Sequence, residues 1–248
     1  MNAPGYFISF EGGEGVGKST QSRLLGDWLA DLTGREVVLT FEPGGTALGK
    51  ELRAAVMHGQ DMGPRAEALI YAADRAHHVE TVVRPALDRG AVVVTDRYLD
   101  SSVAYQSGGR DLPGHEVEHL SLWATKGLRP DVTVLLDLEP AAAAARRAKA
   151  EGKGELDRLE RAGLEFHTRV RDTFLQRAAA DPEHWVIIDA TAPVDDIQAQ
   201  IRVDVSARLG LTPVVTEASS MAEAAGNAES ASLAEAAGVA EAVAEDRS

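Results

Sequence analysis

Residues 12–20, Gly-Gly-Glu-Gly-Val-Gly-Lys-Ser-Thr, most narrowly limit what this chain can become. They spell a G-x-x-x-x-G-K-S phosphate loop. It stands between an apolar run, residues 6–10, and a helical pattern in which Leu24, Leu25, Trp28, Leu29 and Leu32 recur before a stop at Gly34. A strand feeding a glycine-rich turn aims successive backbone N–H groups at a polyphosphate, and the following helix adds the positive end of its dipole. Side chains would block that approach, hence the glycines. Gly12, Gly13, Glu14, Gly15, Val16, Gly17, Lys18, Ser19 and Thr20 are therefore the expected nucleotide-binding stretch. Lys18 can reach the terminal phosphates, and the Ser19 hydroxyl is placed to ligate the Mg2+ that travels with a nucleoside triphosphate.

The rest of the body alternates strand and helix signals. Residues 36–41, 91–95, 132–138 and 185–188 are short apolar, β-branched runs, and with 6–10 they make five strands. Residues 47–58 and 65–78 read as helices, and 79–89 as a further helical stretch started or kinked near Pro85. The pattern predicts an α/β fold with a five-stranded parallel sheet, helices on both faces, and ligands at the carboxyl ends of the strands.

Charge divides the chain in two. The net charge of -14 over 248 residues separates into -6 beyond Pro213, from seven acids and one base, and -8 for the body, from 32 acids and 24 bases. That balance argues against a nucleic-acid partner, and an acidic body that binds anionic nucleotides must gather its cations locally. Residues 213–248 repeat a glutamate every six positions, at 217, 223, 229, 235 and 241, among Ala and Ser. A six-residue step rotates Met221, Leu233 and Val239 onto different helix faces, so this segment reads as a disordered acidic tail rather than a docked element. The expected domain is 1–212. There is no cysteine, no apolar run as long as a membrane span, and no targeting segment in Met1-Asn2-Ala3-Pro4, which fits a cytoplasmic protein without a membrane partner.

Other constellations point to the same loop. Asp96 closes the run Val92-Val93-Val94-Thr95, where a second Mg2+ contact is expected, and Arg97 follows it; Asp137 ends another strand and is the rival. Glu14 would repel phosphate and suits a sugar hydroxyl on a second substrate. Arg146-Arg147-Ala148-Lys149, running into Glu151-Gly152-Lys153-Gly154, has the character of a lid over phosphates, about residues 141–158, or of a solvated helix face. Adjacent His77 and His78 cannot share a helix face as a metal pair at i and i+4 would, and carry no assigned role.

The segments 10–20, Glu42-Pro43-Gly44-Gly45-Thr46, Ala72-Ala73-Asp74-Arg75, Asp96-Arg97-Tyr98 with 101–106, residues 156–160, and Ile188-Asp189-Ala190-Thr191 together resemble the thymidylate kinase family over about residues 5–210. The resemblance implies transfer of a phosphoryl group from Mg-ATP to dTMP in dTTP synthesis, and a homodimer. It implies that Arg97 contacts the phosphates at the transfer point, Arg75 binds the monophosphate acceptor, and Tyr71 stands where the family usually stacks a Phe on thymine. Ser102 and Gln106 would hydrogen-bond the pyrimidine, Tyr105 would crowd the sugar 2' position, Glu14 would take the sugar hydroxyl, and residues 191–194 would pack near adenine. Two departures stand out: Phe41 replaces the usual Arg, and Gly15 and Val16 leave no basic group inside the loop. The catalytic cation is then expected from the lid, with Arg147, Lys149 and Lys153 as candidates. A P-loop ATPase switch and another nucleoside monophosphate kinase are the alternatives, and no Asn-Lys-x-Asp guanine signature supports a GTPase.

Overall fold

The computed structural model describes residues 4–110, 112–151 and 162–211. The acidic repeat, Lys153 and the motif at 156–160 lie outside the described residues.

Five parallel strands, β1 (Tyr6–Glu11), β2 (Val37–Phe41), β3 (Val92–Asp96), β4 (Val132–Asp137) and β5 (Trp185–Asp189), lie in the order β2-β3-β1-β4-β5. The first strand is therefore central: the chain runs out to β2, turns back to β3 and then crosses to β4 and β5 on the other side. That switch point is where α/β sheets open a crevice beyond the strand ends. Phe10 pairs with Asp96, Glu11 with Leu135 and Asp137 with Asp189, so Asp137 and Asp189 end level with each other and further along the sheet than Glu11 and Asp96.

Period-two alternation divides the apolar residues between two helical layers. Ile8, Phe10, Val94, Val134 and Ile188 face helix α1 (Lys18–Thr33) and the final helix, Val194–Leu209, through Leu25, Leu29, Ile197 and Ile201. Phe7 and Val93 face the opposite side, against Val79, Val83 and Leu99. Leu135 joins Phe174 and Val170 of the helix Leu164–Ala180 on that side. Each fully buried aliphatic side chain contributes about 1.5–3 kcal/mol. Helix α1 stops where expected, at Gly34 in the left-handed region (φ 64°), whose N–H donates to the Ala30 carbonyl. Helix α2 (Ala47–His58) starts at Thr46, whose hydroxyl accepts from the Gly49 N–H at 2.9 Å.

The stretch near Pro85 differs in kind from a simple restart. Helix α3 (Pro64–His78) runs without a break into a π-type turn, Val79–Val83, and then into helix α4 (Arg84–Asp88) with Pro85 in its first turn. The Arg84 N–H reaches back to the Val79 carbonyl, so a widened turn admits the proline where a tight one would clash. A second π-type stretch, Val103–Gly109, follows the short helix α5 (Leu99–Ser102). This one has no proline, and it carries Tyr105 and Gln106.

Glu11, the last residue of the central strand, is wholly buried. Its carboxyl accepts from the Tyr98 and Ser101 N–H groups at 2.9 and 3.3 Å and from the Ser101 hydroxyl at 2.5 Å, tying β1 to the start of α5. Burial, reinforced by the neighbouring Asp100 charge, pushes this carboxyl up to about 8. Between its ordinary 4.5 and about 8 the folded chain keeps a proton that the unfolded chain has released, so stability falls as pH rises through that interval. Glu11→Gln removes the titration. Its stability deficit against the parent chain is expected to narrow in denaturant melts between about pH 5 and pH 8, and a gap that is constant or widens contradicts the buried-proton account.

Candidate active site

A cleft of about 760 Å³ opens at the carboxyl ends of β1, β2 and β3. The phosphate loop forms one wall. Gly12 takes φ 134° and lies so close to the Leu136 carbonyl that a Cβ would stand 2.6 Å from it, a position only glycine fills. Gly15, at φ 75°, faces the backbone of Ala143 and the Cβ of Arg147 on the helix Pro140–Glu151. The Lys18 ammonium donates to the Gly13 and Gly12 carbonyls at 2.7 and 3.2 Å, spanning the loop. Burial lowers its pKa and the Arg97 charge adds to that, while Asp96, Glu14 and Glu11 oppose.

Ser19 and Asp96, the two expected Mg2+ ligands, lie side by side: the Ser19 hydroxyl donates to Asp96 Oδ2 at 2.6 Å. Asp96 is the end of β3 and does not cap the next helix, whose N-cap is Tyr98. The rival, Asp137, has both carboxylate oxygens occupied by the Arg171 guanidinium, at 2.7 and 2.9 Å. It serves to lock β4 to the helix Leu164–Ala180.

Arg97 is the junction of the site. Its Nη1 donates to the Gly12 carbonyl (3.0 Å) and the Ser101 hydroxyl (2.8 Å), and its Nη2 to Glu14 (2.6 Å) and the Tyr105 hydroxyl (3.1 Å). Its backbone sits in the left-handed region (φ 71°), unusual for a residue with a side chain and characteristic of functional positions. Burial opposes ionisation of Glu14, but Arg97 and Lys18 outweigh it and hold its carboxyl at about 2. The Tyr105 hydroxyl also donates to Glu14, at 3.3 Å, and burial raises the Tyr105 pKa, so it stays a neutral donor. Glu14, Arg97 and Tyr105 thus form one hydrogen-bonded triangle beside the loop.

Tyr71, Arg75, Ser102 and Gln106 line the same cleft. Arg75, expected to bind the monophosphate acceptor, is held largely by the protein itself. It is 2% exposed, and four of its five N–H groups are committed: to Glu42 (2.8 Å), Ser121 (3.0 Å), the Tyr98 carbonyl (3.1 Å) and Ser102 (3.0 Å). A guanidinium so bound is part of the wall beside Ser102, and one donor remains for a ligand. Behind it His78, left without a role by the sequence, bridges Glu42 (2.8 Å) and Thr40 (2.6 Å). Asp74, which accepts from the Gly44 N–H, is pushed up to about 6 by burial and by the Glu42 charge.

Sequence reasoning missed Arg53 and Arg23, which also line the cleft. Arg53 donates to the Pro43 carbonyl at 3.0 Å and stands beside Phe41, so it brings positive charge to where Phe41 has none. Its signal was its place two turns into the helix that Thr46 caps. Of the lid candidates, Arg147 reaches the cleft and Lys149 is exposed on the same helix. The loop after β5 is tied to the site's framework: the Ala190 carbonyl accepts from Arg146 (2.9 Å) and the Val194 carbonyl from Gln21 of α1 (2.9 Å).

Comparison with known proteins agrees with this geometry. The family model described as thymidylate kinase matches residues 10–201. A thymidylate kinase of Clavibacter michiganensis subsp. michiganensis is 60% identical over 199 residues, 80% of this chain and 93% of that protein. One from Leifsonia xyli subsp. xyli is 57% identical over 209 residues, 84% and 98% of the two chains. The crystal structure of thymidylate kinase from Ehrlichia chaffeensis superposes with a TM-score of 0.68 at 28% identity, covering 82% of this chain and all of that one. By sequence and by fold, this chain belongs to the thymidylate kinase family.

Proposed function

We propose that the chain transfers the γ-phosphoryl group of ATP to the phosphate of dTMP, giving dTDP and ADP in the synthesis of dTTP. The observation that carries this reading is the Arg97–Glu14–Tyr105 triangle, which joins the phosphate loop to the wall of Tyr71, Ser102 and Gln106 within one cleft.

The acceptor's second phosphate pKa is about 6, so the nucleophilic oxygen is mostly dianionic at neutral pH and needs no general base. The barrier is mutual repulsion of two polyanions, which positioned cations lower. Lys18 and the loop N–H groups hold the donor, and Arg97 stands between donor and acceptor with a pKa raised by Glu14, Tyr105 and Asp96 against the opposing effect of burial. Arg53 and Arg147 add charge at the flanks. Glu14, ionised above about pH 2, accepts the sugar hydroxyl, and Tyr105 closes the space a 2'-hydroxyl needs. Ser19 and Asp96 would hold Mg2+: hydroxyl and carboxylate oxygens suit a hard cation that needs only one or two protein ligands. When bound, Mg2+ supplies charge that screens the donor phosphates.

We assign this chemistry to residues 1–212, with 141–158 as lid, and place it in the cytoplasm; no described helix is long and apolar enough to cross a membrane. We also infer a homodimer. Leu69 of α3 and Trp123 of the helix Gly114–Ala124 are 57% and 79% exposed, apolar surface that a symmetric interface would cover. A monomer in sedimentation contradicts this.

Initial ADP formation with dTMP, dUMP, dGMP and UMP as acceptors tests the function. The expected order is dTMP strong, dUMP weaker and the others near background; preference for a purine or a ribonucleotide, or ADP release indifferent to acceptor, contradicts it. Arg97→Ala is expected to lower kcat about 100- to 1000-fold with little change in the KM for ATP. Arg147→Ala should lower kcat more than Lys149→Ala does, and the reverse order would move the lid cation to Lys149.

A further inference from the structure

Gln106 is 1% exposed and forms part of the cleft wall. Its Nε2 donates to Glu67 Oε1 at 2.8 Å, whereas its own Oε1 is buried with no hydrogen-bond partner among the described residues. Glu67 comes from the first turn of α3, is itself 1% exposed, and does not line the cleft. The Arg110 guanidinium, 3.6 Å from the same carboxylate oxygen, offsets the buried charge.

An amide can face a partner with either its oxygen or its nitrogen, but an ionised carboxylate only accepts. Turning Gln106 over would set two acceptors against each other at hydrogen-bond distance in a buried site. Glu67 therefore decides which end of Gln106 meets it, and the unpartnered Oε1 is left as an acceptor for something in the cleft.

We propose that Glu67 is a positioning residue for specificity: it fixes the Gln106 amide so that the cleft presents an acceptor to a pyrimidine whose ring nitrogen carries a hydrogen. Thymine and uracil have that N–H. Cytosine places an unprotonated ring nitrogen, another acceptor, at the same position, and is refused by an amide that cannot turn. This rests on the dTMP reading above and adds how the site rejects dCMP.

The test compares kcat/KM for dTMP and dCMP in the full chain and in Glu67→Gln. A glutamine at 67 can donate as well as accept, so Gln106 can turn. The dTMP-to-dCMP ratio is expected to fall about tenfold or more, with the KM for ATP unchanged. Gln106→Leu, lacking the amide, should lose dTMP use without gaining dCMP use, and adding Glu67→Gln to it should leave the ratio where it was. A folded Glu67→Gln chain with a ratio within about twofold of the parent, or with equal losses on both acceptors, overturns the proposal. Should Glu67→Gln not fold, Glu67→Asp decides: its carboxylate still only accepts, so retained discrimination supports the proposal and lost discrimination overturns it. A parent chain that phosphorylates no pyrimidine nucleotide brings down the reading beneath it, and the two fall together.

Discussion

The Arg97 guanidinium holds together parts of the chain that the sheet alone does not connect. It bonds at once to the phosphate loop, through the Gly12 carbonyl and Glu14, to α5 through Ser101, and to the π-type stretch through Tyr105. The backbone at this residue is left-handed, a conformation that costs about 1 kcal/mol or more and persists because its surroundings over-determine it. The Arg97 N–H bonds to the Phe10 carbonyl, and the Arg97 carbonyl accepts from the Thr95 hydroxyl. Those contacts turn the chain sharply after β3, so that the side chain points back over the loop.

That turn depends in its own way on the strand order. With β1 central, Glu11 and Asp96 end on neighbouring strands and Asp137 one strand further on. Three carboxylates at one edge acquire three different tasks from their surroundings. Glu11 is buried against N–H and O–H donors and holds a proton; Asp96 meets a serine hydroxyl; Asp137 is neutralised by an arginine fork. Residue type alone does not separate them. Their partners, contributed from distant parts of the chain, do.

The legible parts of the sequence were those set by local chemistry. The phosphate loop, the five β-branched runs and the stop at Gly34 follow from periodicity and turn rules. The expected site residues that stand in contiguous motifs line one cleft, because each motif fixes its own backbone. What stayed hidden depended on long-range pairing. Arg75 has the charge of a phosphate ligand, and only the folded chain reveals Glu42, Ser121 and Ser102 around it. Arg53 gives no sequence signal beyond its spacing from Thr46. Glu67 and Gln106 are 39 residues apart, and no periodicity links a residue behind the cleft to the one it orients. The two π-type turns were also invisible, since one extra residue per turn leaves an apolar helical pattern nearly unchanged.

The most direct measurement is a double-mutant cycle on folding stability with Arg97→Met, Glu14→Gln and the two combined, followed by denaturant unfolding at neutral pH. A charge-assisted hydrogen bond of 2.6 Å in a largely enclosed site should give a coupling energy of about 1–3 kcal/mol. Effects that add to within about 0.5 kcal/mol would mean that Arg97 and Glu14 hold their places independently, and the loop and the acceptor wall would not be joined through them.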